Sequence, residues 1–135
     1  MTAITTRAGK GSPLTNSEID GNFTNLNQDK LEIIVSTTAS AASLTPAATD
    51  TQYSVTALAV DANVAAPSGT PVNSKKLIIR IKDDGTSRTL SWNAIYRVIG
   101  VTLPLSTTVG KTIYVGCVYN SADTKWDVIA SVVEG

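Results

Sequence analysis

The chain has 135 residues, enough for one domain with a real core and some length left for an arm. Only 16% of them are charged, and 11 basic side chains balance 11 acidic ones, so no long-range attraction for nucleic acid or an anionic membrane is expected. Histidine is absent and Cys117 is the single cysteine, which removes Ser-His and Cys-His nucleophile pairs, thiolate metal clusters and any intrachain disulfide.

Residues 1–14 carry Gly9, Gly11 and Pro13 without periodicity and read as an extended arm. They hold no apolar signal core, and no run in the chain approaches the roughly 20 apolar residues of a membrane span. A soluble protein made in the cytoplasm is therefore expected. Gly9-Lys10-Gly11-Ser12 lacks the upstream glycine and preceding strand of a phosphate loop.

A helix follows. Thr15 and Glu18 form a T-x-x-E capping box, and Leu14 with Ile19 makes the matching hydrophobic staple. Ile19, Phe23 and Leu26 recur at spacings of four and three, which places them on one face. A short helix with many asparagines and a narrow apolar stripe is marginal alone and needs a partner. Its own β-domain, sibling chains or another protein of an assembly each satisfy that need, so Leu14, Ile19, Phe23 and Leu26 are the candidate docking or oligomerisation residues.

From Leu31 the pattern turns to strands. Leu31–Val35 is short and β-branched, and residues 36–50 read as a small-residue connector. Gln52–Val60 alternates, with Tyr53, Val55, Ala57 and Ala59 on one side, and Pro67, Gly69 and Pro71 interrupt. Two hairpins are expected: Lys76–Lys82 turning through Asp83-Asp84-Gly85-Thr86 into Arg88–Trp92, and Thr112–Tyr119 turning through Asn120–Thr124 into Lys125–Val133. Ile95–Gly100 lies between them. The class is mainly β, an N-terminal arm and short helix followed by an antiparallel β-sandwich or jelly-roll-like domain. The expected division is 1–35 for docking or oligomerisation and 36–135 for the β-domain.

Candidate chemistry resolves into structural roles. Asp83-Asp84-Gly85 between apolar strands is turn chemistry before it is a carboxylate pair or cation site. Asn120–Thr124 lacks the glycine and distal glutamate of a calcium loop. Trp92 and Trp126 read as core or interface aromatics, with sugar stacking as the alternative. Lys75, Lys76, Arg80 and Lys82 read as a solvated strand face. Cys117, in an apolar run, reads as a buried inert thiol. No catalytic constellation, metal site or cofactor is expected, and the chain reads as non-enzymatic.

Two segments carry a resemblance. Lys10-Gly11-Ser12-Pro13-Leu14-Thr15-Asn16-Ser17-Glu18-Ile19-Asp20-Gly21-Asn22-Phe23-Thr24-Asn25-Leu26 resembles an N-terminal motif of phage tail-fibre and related virion proteins, roughly K-G-S-x-L-T-x-x-E-x-D-x-N-F-x-x-L, and keeps every fixed position. Leu77–Val133, with D-D-G-T-S-R-T-L-S-W and T-K-W-D-V-I-A, is similar to a β-rich module of phage virion proteins. The resemblance implies a tailed-bacteriophage virion structural protein, made in the host cytoplasm, usually trimeric and attached through its N-terminal part. The chain stops just after the β-module, where a fibre continues. This favours a capsid decoration (cement) protein or head fibre bound to the capsid protein, the alternative being a tail-fibre or tail-adaptor subunit bound to tail proteins.

Overall fold

A computed structural model describes residues 3–29 and 33–135, without the side chains of Gln28 and Asp29. The chain forms two compact units that divide between Asp29 and Ile33. It is mainly β, with a short N-terminal helical unit.

In the N-terminal unit, residues expected to be an extended arm contain a one-turn helix, α1 (Arg7–Lys10). Its caps explain it. The Thr6 hydroxyl accepts from the Gly9 N–H, and Gly11 closes the turn in the left-handed region at φ 72°, a conformation glycine adopts without a Cβ clash. The main helix, α2, spans Asn16–Asp29.

The second unit holds nine strands: β1 (Val35–Thr38), β2 (Ser43–Leu44), β3 (Gln52–Leu58), β4 (Ala62–Val64), β5 (Lys76–Asp83), β6 (Leu90–Trp92), β7 (Tyr96–Val98), β8 (Thr112–Asn120) and β9 (Lys125–Val133). They form a six-stranded sheet ordered β1-β3-β5-β8-β9-β7 and a three-stranded sheet ordered β2-β4-β6. Pairing differs from the antiparallel expectation. The smaller sheet is wholly parallel, and in the larger one β1-β3, β3-β5 and β7-β9 are parallel while β5-β8 and β8-β9 are antiparallel.

The parallel pairs follow from how the chain travels. From β1 to β6 it visits the two sheets alternately, so each passage lies over the one before. Three rungs result: β1 with β2, β3 with β4, and β5 with β6, stacked as in a parallel β-helix. A third side is stitched by a parallel bridge between Ala47 and Ser68. Inward positions stack between rungs. Thr38, Val55 and Ile81 align on one sheet, and Leu44, Val64 and Trp92 on the other. Residues 36–50, expected to be a connector, thus build the first rung. Small β-branched and hydroxylic residues permit short strands there, although too few are apolar to leave a periodic signal.

The first expected hairpin does not form. Both edges of β5 are occupied, by β3 and β8, so the Asp83–Thr86 turn sends the chain into the other sheet, where β6 pairs with β4. The second expected hairpin, β8 with β9, is present with Asn120 opposite Lys125. The expected alternation of β3 breaks at a register shift between Val55 and Leu58, which buries Leu58 and leaves Ala57 exposed. The core gathers Leu44, Val55, Leu58, Val64, Leu77, Ile79, Ile81, Ile113, Val115, Trp126 and Val128 between the sheets.

Candidate functional site

The N-terminal motif sorts into two sets of residues. The first set holds the unit's own fold. Glu18 accepts from the Thr15 N–H at 2.7 Å, and the Thr15 hydroxyl accepts from the Glu18 N–H at 3.3 Å, completing the capping box. Lys10, at the end of α1, pairs with the same Glu18 carboxylate. Lys10 together with the N–H and hydroxyl of Thr15 holds the Glu18 carboxyl down at about 2. Asn22 forms a two-way clasp with the arm: its side-chain carbonyl accepts from the Thr5 N–H at 2.8 Å and its amide donates to the Thr5 carbonyl at 2.7 Å. One turn later, Asn25 donates to the Ala3 carbonyl. The arm is thereby laid along α2 by asparagine side chains that satisfy its backbone.

The second set faces outward. Phe23 is 68% exposed and Leu26 57%, while Ile19, at 38%, is also exposed. Leu14 is half-buried. So the stripe formed by Ile19, Phe23 and Leu26 remains largely in solvent even though the arm covers part of the helix. In the sequence Asn22 and Asn25 show only as residues of modest helix propensity, and their hold on the arm is a feature of the structure. Their signal was the density of amides on a helix that has little intrinsic stability.

The two tryptophans belong to the β-unit. Trp126 is 1% exposed and stacks at a tilt on Tyr119 with ring centroids 5.2 Å apart. Trp92 packs against the core, edge-on to Tyr96 at 5.5 Å, and its indole N–H donates to the Pro104 carbonyl at 2.7 Å. The buried Cys117 thiol is pushed up to about 12 by desolvation, so it holds no thiolate at neutral pH.

The carboxylates of the β-unit's turns are each engaged by nearby donors. Asp83 is buried, and one of its oxygens accepts from the N–H groups of Gly85 and Gly110, each at 2.9 Å. Asp84 accepts from the Thr86 N–H and pairs with Arg88. Asp50, also buried, accepts from the Ser36 hydroxyl and the Ala47 N–H, tying the first rung to its turn. Asp123 and Asp127 both grip Arg97. In the Asn120–Thr124 loop, Asn120 accepts from the N–H of Ala122, which is turn geometry. Among the described residues there is no group of three or more side chains placed to hold a metal ion, and no helix is long and apolar enough to cross a membrane.

Of the features described, the exposed stripe on α2 has the geometry of a docking surface. Comparison with protein-family models, with curated proteins and with solved structures finds no match to this chain.

Proposed function

We propose that this protein is a non-enzymatic structural component of a tailed-phage virion, a homotrimeric decoration or head-fibre protein that docks on the capsid shell through α2. The observation that carries the reading is the division of labour in the N-terminal motif. Its polar positions complete the unit internally, while Ile19, Phe23 and Leu26 stay in solvent on a helix that needs a partner. Apolar side chains held outward on a pre-organised element supply binding energy without the cost of ordering a free segment. The motif's resemblance to virion proteins supplies the class of partner, and the β-unit, whose carboxylates are committed to its own turns and rungs, supplies bulk and stability.

The test is to mix the purified protein with particles lacking it and image them by cryo-electron microscopy. Icosahedrally ordered density on the shell, contacted by residues 14–26, is the expected result. Density confined to the tail or collar would remove the capsid assignment and make the chain a tail-fibre or adaptor subunit. Absence of binding to any particle surface would sink the docking role.

A further inference from the structure

The outer face of the six-stranded sheet has a cleft of about 480 Å³, lined by Arg80, Lys82, Thr112, Tyr114, Val132, Val133 and Glu134. This volume lies within the range of small-ligand sites, about 300–1,000 Å³. The strand register creates it. Arg80 is opposite Tyr114, which is opposite Val132, and Lys82 is opposite Thr112, so one cross-strand row sets a cation beside an aromatic and an aliphatic side chain.

The fold leaves Arg80 largely unmatched and Lys82 only partly offset, by the nearby Glu134 carboxylate. Among the described residues neither Arg80 nor Lys82 forms an ion pair, whereas Arg88 and Arg97 do. Arg80 makes one long hydrogen bond, from Nη1 to the Ser54 hydroxyl at 3.4 Å, and its Nε is shielded from solvent without an acceptor. A guanidinium carries five donors arranged to take a carboxylate, and the Ser54 contact occupies only one of those of Arg80. The single carboxylate in the cleft, Glu134, takes the Thr112 N–H on Oε2 at 2.9 Å, and the Lys82 charge nearby helps to lower its pKa. Opposite the cations, Val132 is 57% exposed, Val133 47% and Tyr114 39%.

We propose that this cleft binds a carboxylate-bearing sugar of the hexuronate type, its carboxylate held by Arg80 and Lys82 and its C–H face laid on Tyr114 and Val132. The chemistry selects that class. A bare anion has no use for Tyr114 and Val132, and a neutral sugar leaves Arg80 unmatched. The hydroxyls of an acidic sugar have Glu134 at the rim as an acceptor. The site is independent of the docking reading, since it lies in the β-unit and uses none of the residues of α2.

The experiment is a titration of the full-length protein with glucuronate, followed by backbone amide NMR, with glucose and inorganic phosphate as comparison probes. Saturable shifts in Arg80, Tyr114 and Val132 with glucuronate are expected, much weaker ones with glucose and with phosphate. Loss of a charge-assisted contact in Lys82→Gln should weaken glucuronate roughly tenfold. Arg80→Gln should do the same, and circular dichroism will show whether removing the side chain over Ser54 disturbs the fold; if it does, Lys82→Gln decides. Equal binding of phosphate would reduce the cleft to a charge reader and overturn the sugar assignment. Equal binding of glucose, or no binding of any probe, would overturn the site. Shifts that follow protein concentration in place of ligand would make this face a contact between copies and equally defeat the proposal.

Discussion

Asp83 ends β5 with a side chain only 4% exposed, an unusual position for a residue so close to a turn. Burial works against its ionisation, but the N–H groups of Gly110 and Gly85, the Thr107 hydroxyl and Arg88 outweigh that penalty, and its pKa is lowered. Because the folded value is depressed, the carboxylate stabilises the protein fully above the ordinary aspartate value of about 3.9, and this is lost as pH falls through the folded value. Asp83→Ala, which removes the charged acceptor shared by the Gly85 and Gly110 N–H groups, should cost about 1–3 kcal/mol in urea denaturation at neutral pH. The gap to wild type should shrink in acid. A gap that stays constant down to the acid limit would mean that the side chain acts by packing. The turn at Asp83-Asp84-Gly85 was legible in the sequence from its residue types. The burial of Asp83 was not, because its second donor, Gly110, comes from a loop far along the chain.

At the scale of elements, α2 was legible almost completely. The capping box, the start of the helix and the face carrying Ile19, Phe23 and Leu26 are all local patterns, and local patterns survive in a sequence. What could not be read was the arm's attachment, since asparagine-to-backbone bonds have no period. The helix therefore offers two contrasting substitutions. Phe23→Ala should leave the helical signal of the N-terminal unit intact and weaken particle binding about tenfold to a hundredfold, as expected when a buried aromatic contact is removed. Asn22→Ala should do the reverse at first sight, releasing residues 3–5 to faster amide exchange with the apolar stripe unaltered. If Phe23→Ala were to melt the unit, the stripe would belong to its internal packing. A third change concerns Glu18, whose carboxyl is held at about 2 chiefly by Lys10. Its capping contribution is present above the ordinary glutamate value of about 4.3 and vanishes as pH falls through about 2. Lys10→Ala should move the Glu18 titration upward in carboxyl-detected NMR; an unmoved titration would refute the Lys10 contact.

For the whole molecule, the mainly-β class was legible from β-branched composition and turn spacing, but the rung architecture was not. Parallel neighbours here are separated by a full circuit of the chain, as Val35 and Gln52 or Ala62 and Leu90 are, and those circuits differ in length. Without a fixed period there is no repeat to detect. Strand position predicts a gradient of protection. β5 and β8 are each hydrogen-bonded on both sides, whereas β1 is four residues long and pairs only with β3. Amide exchange should be slower in β5 and β8 than in the edge strands β1 and β7. Protection of β1 equal to that of β5 would indicate that another strand or chain covers its open side.

The strand order also acts as a timetable. As the chain leaves the ribosome, the second and third rungs each find the preceding rung already made, so stacking can proceed from the N-terminal side. β7 cannot. Its only neighbour in the sheet is β9, which emerges after the whole of β8. The open edge of β5 is unpaired until β8 emerges, and Tyr96 has no neighbouring strand until β9 follows. Early folding is thus sequential and local in rung order, while completion waits for the last strand. That final step sets the window in which a half-built molecule can pair with the wrong chain.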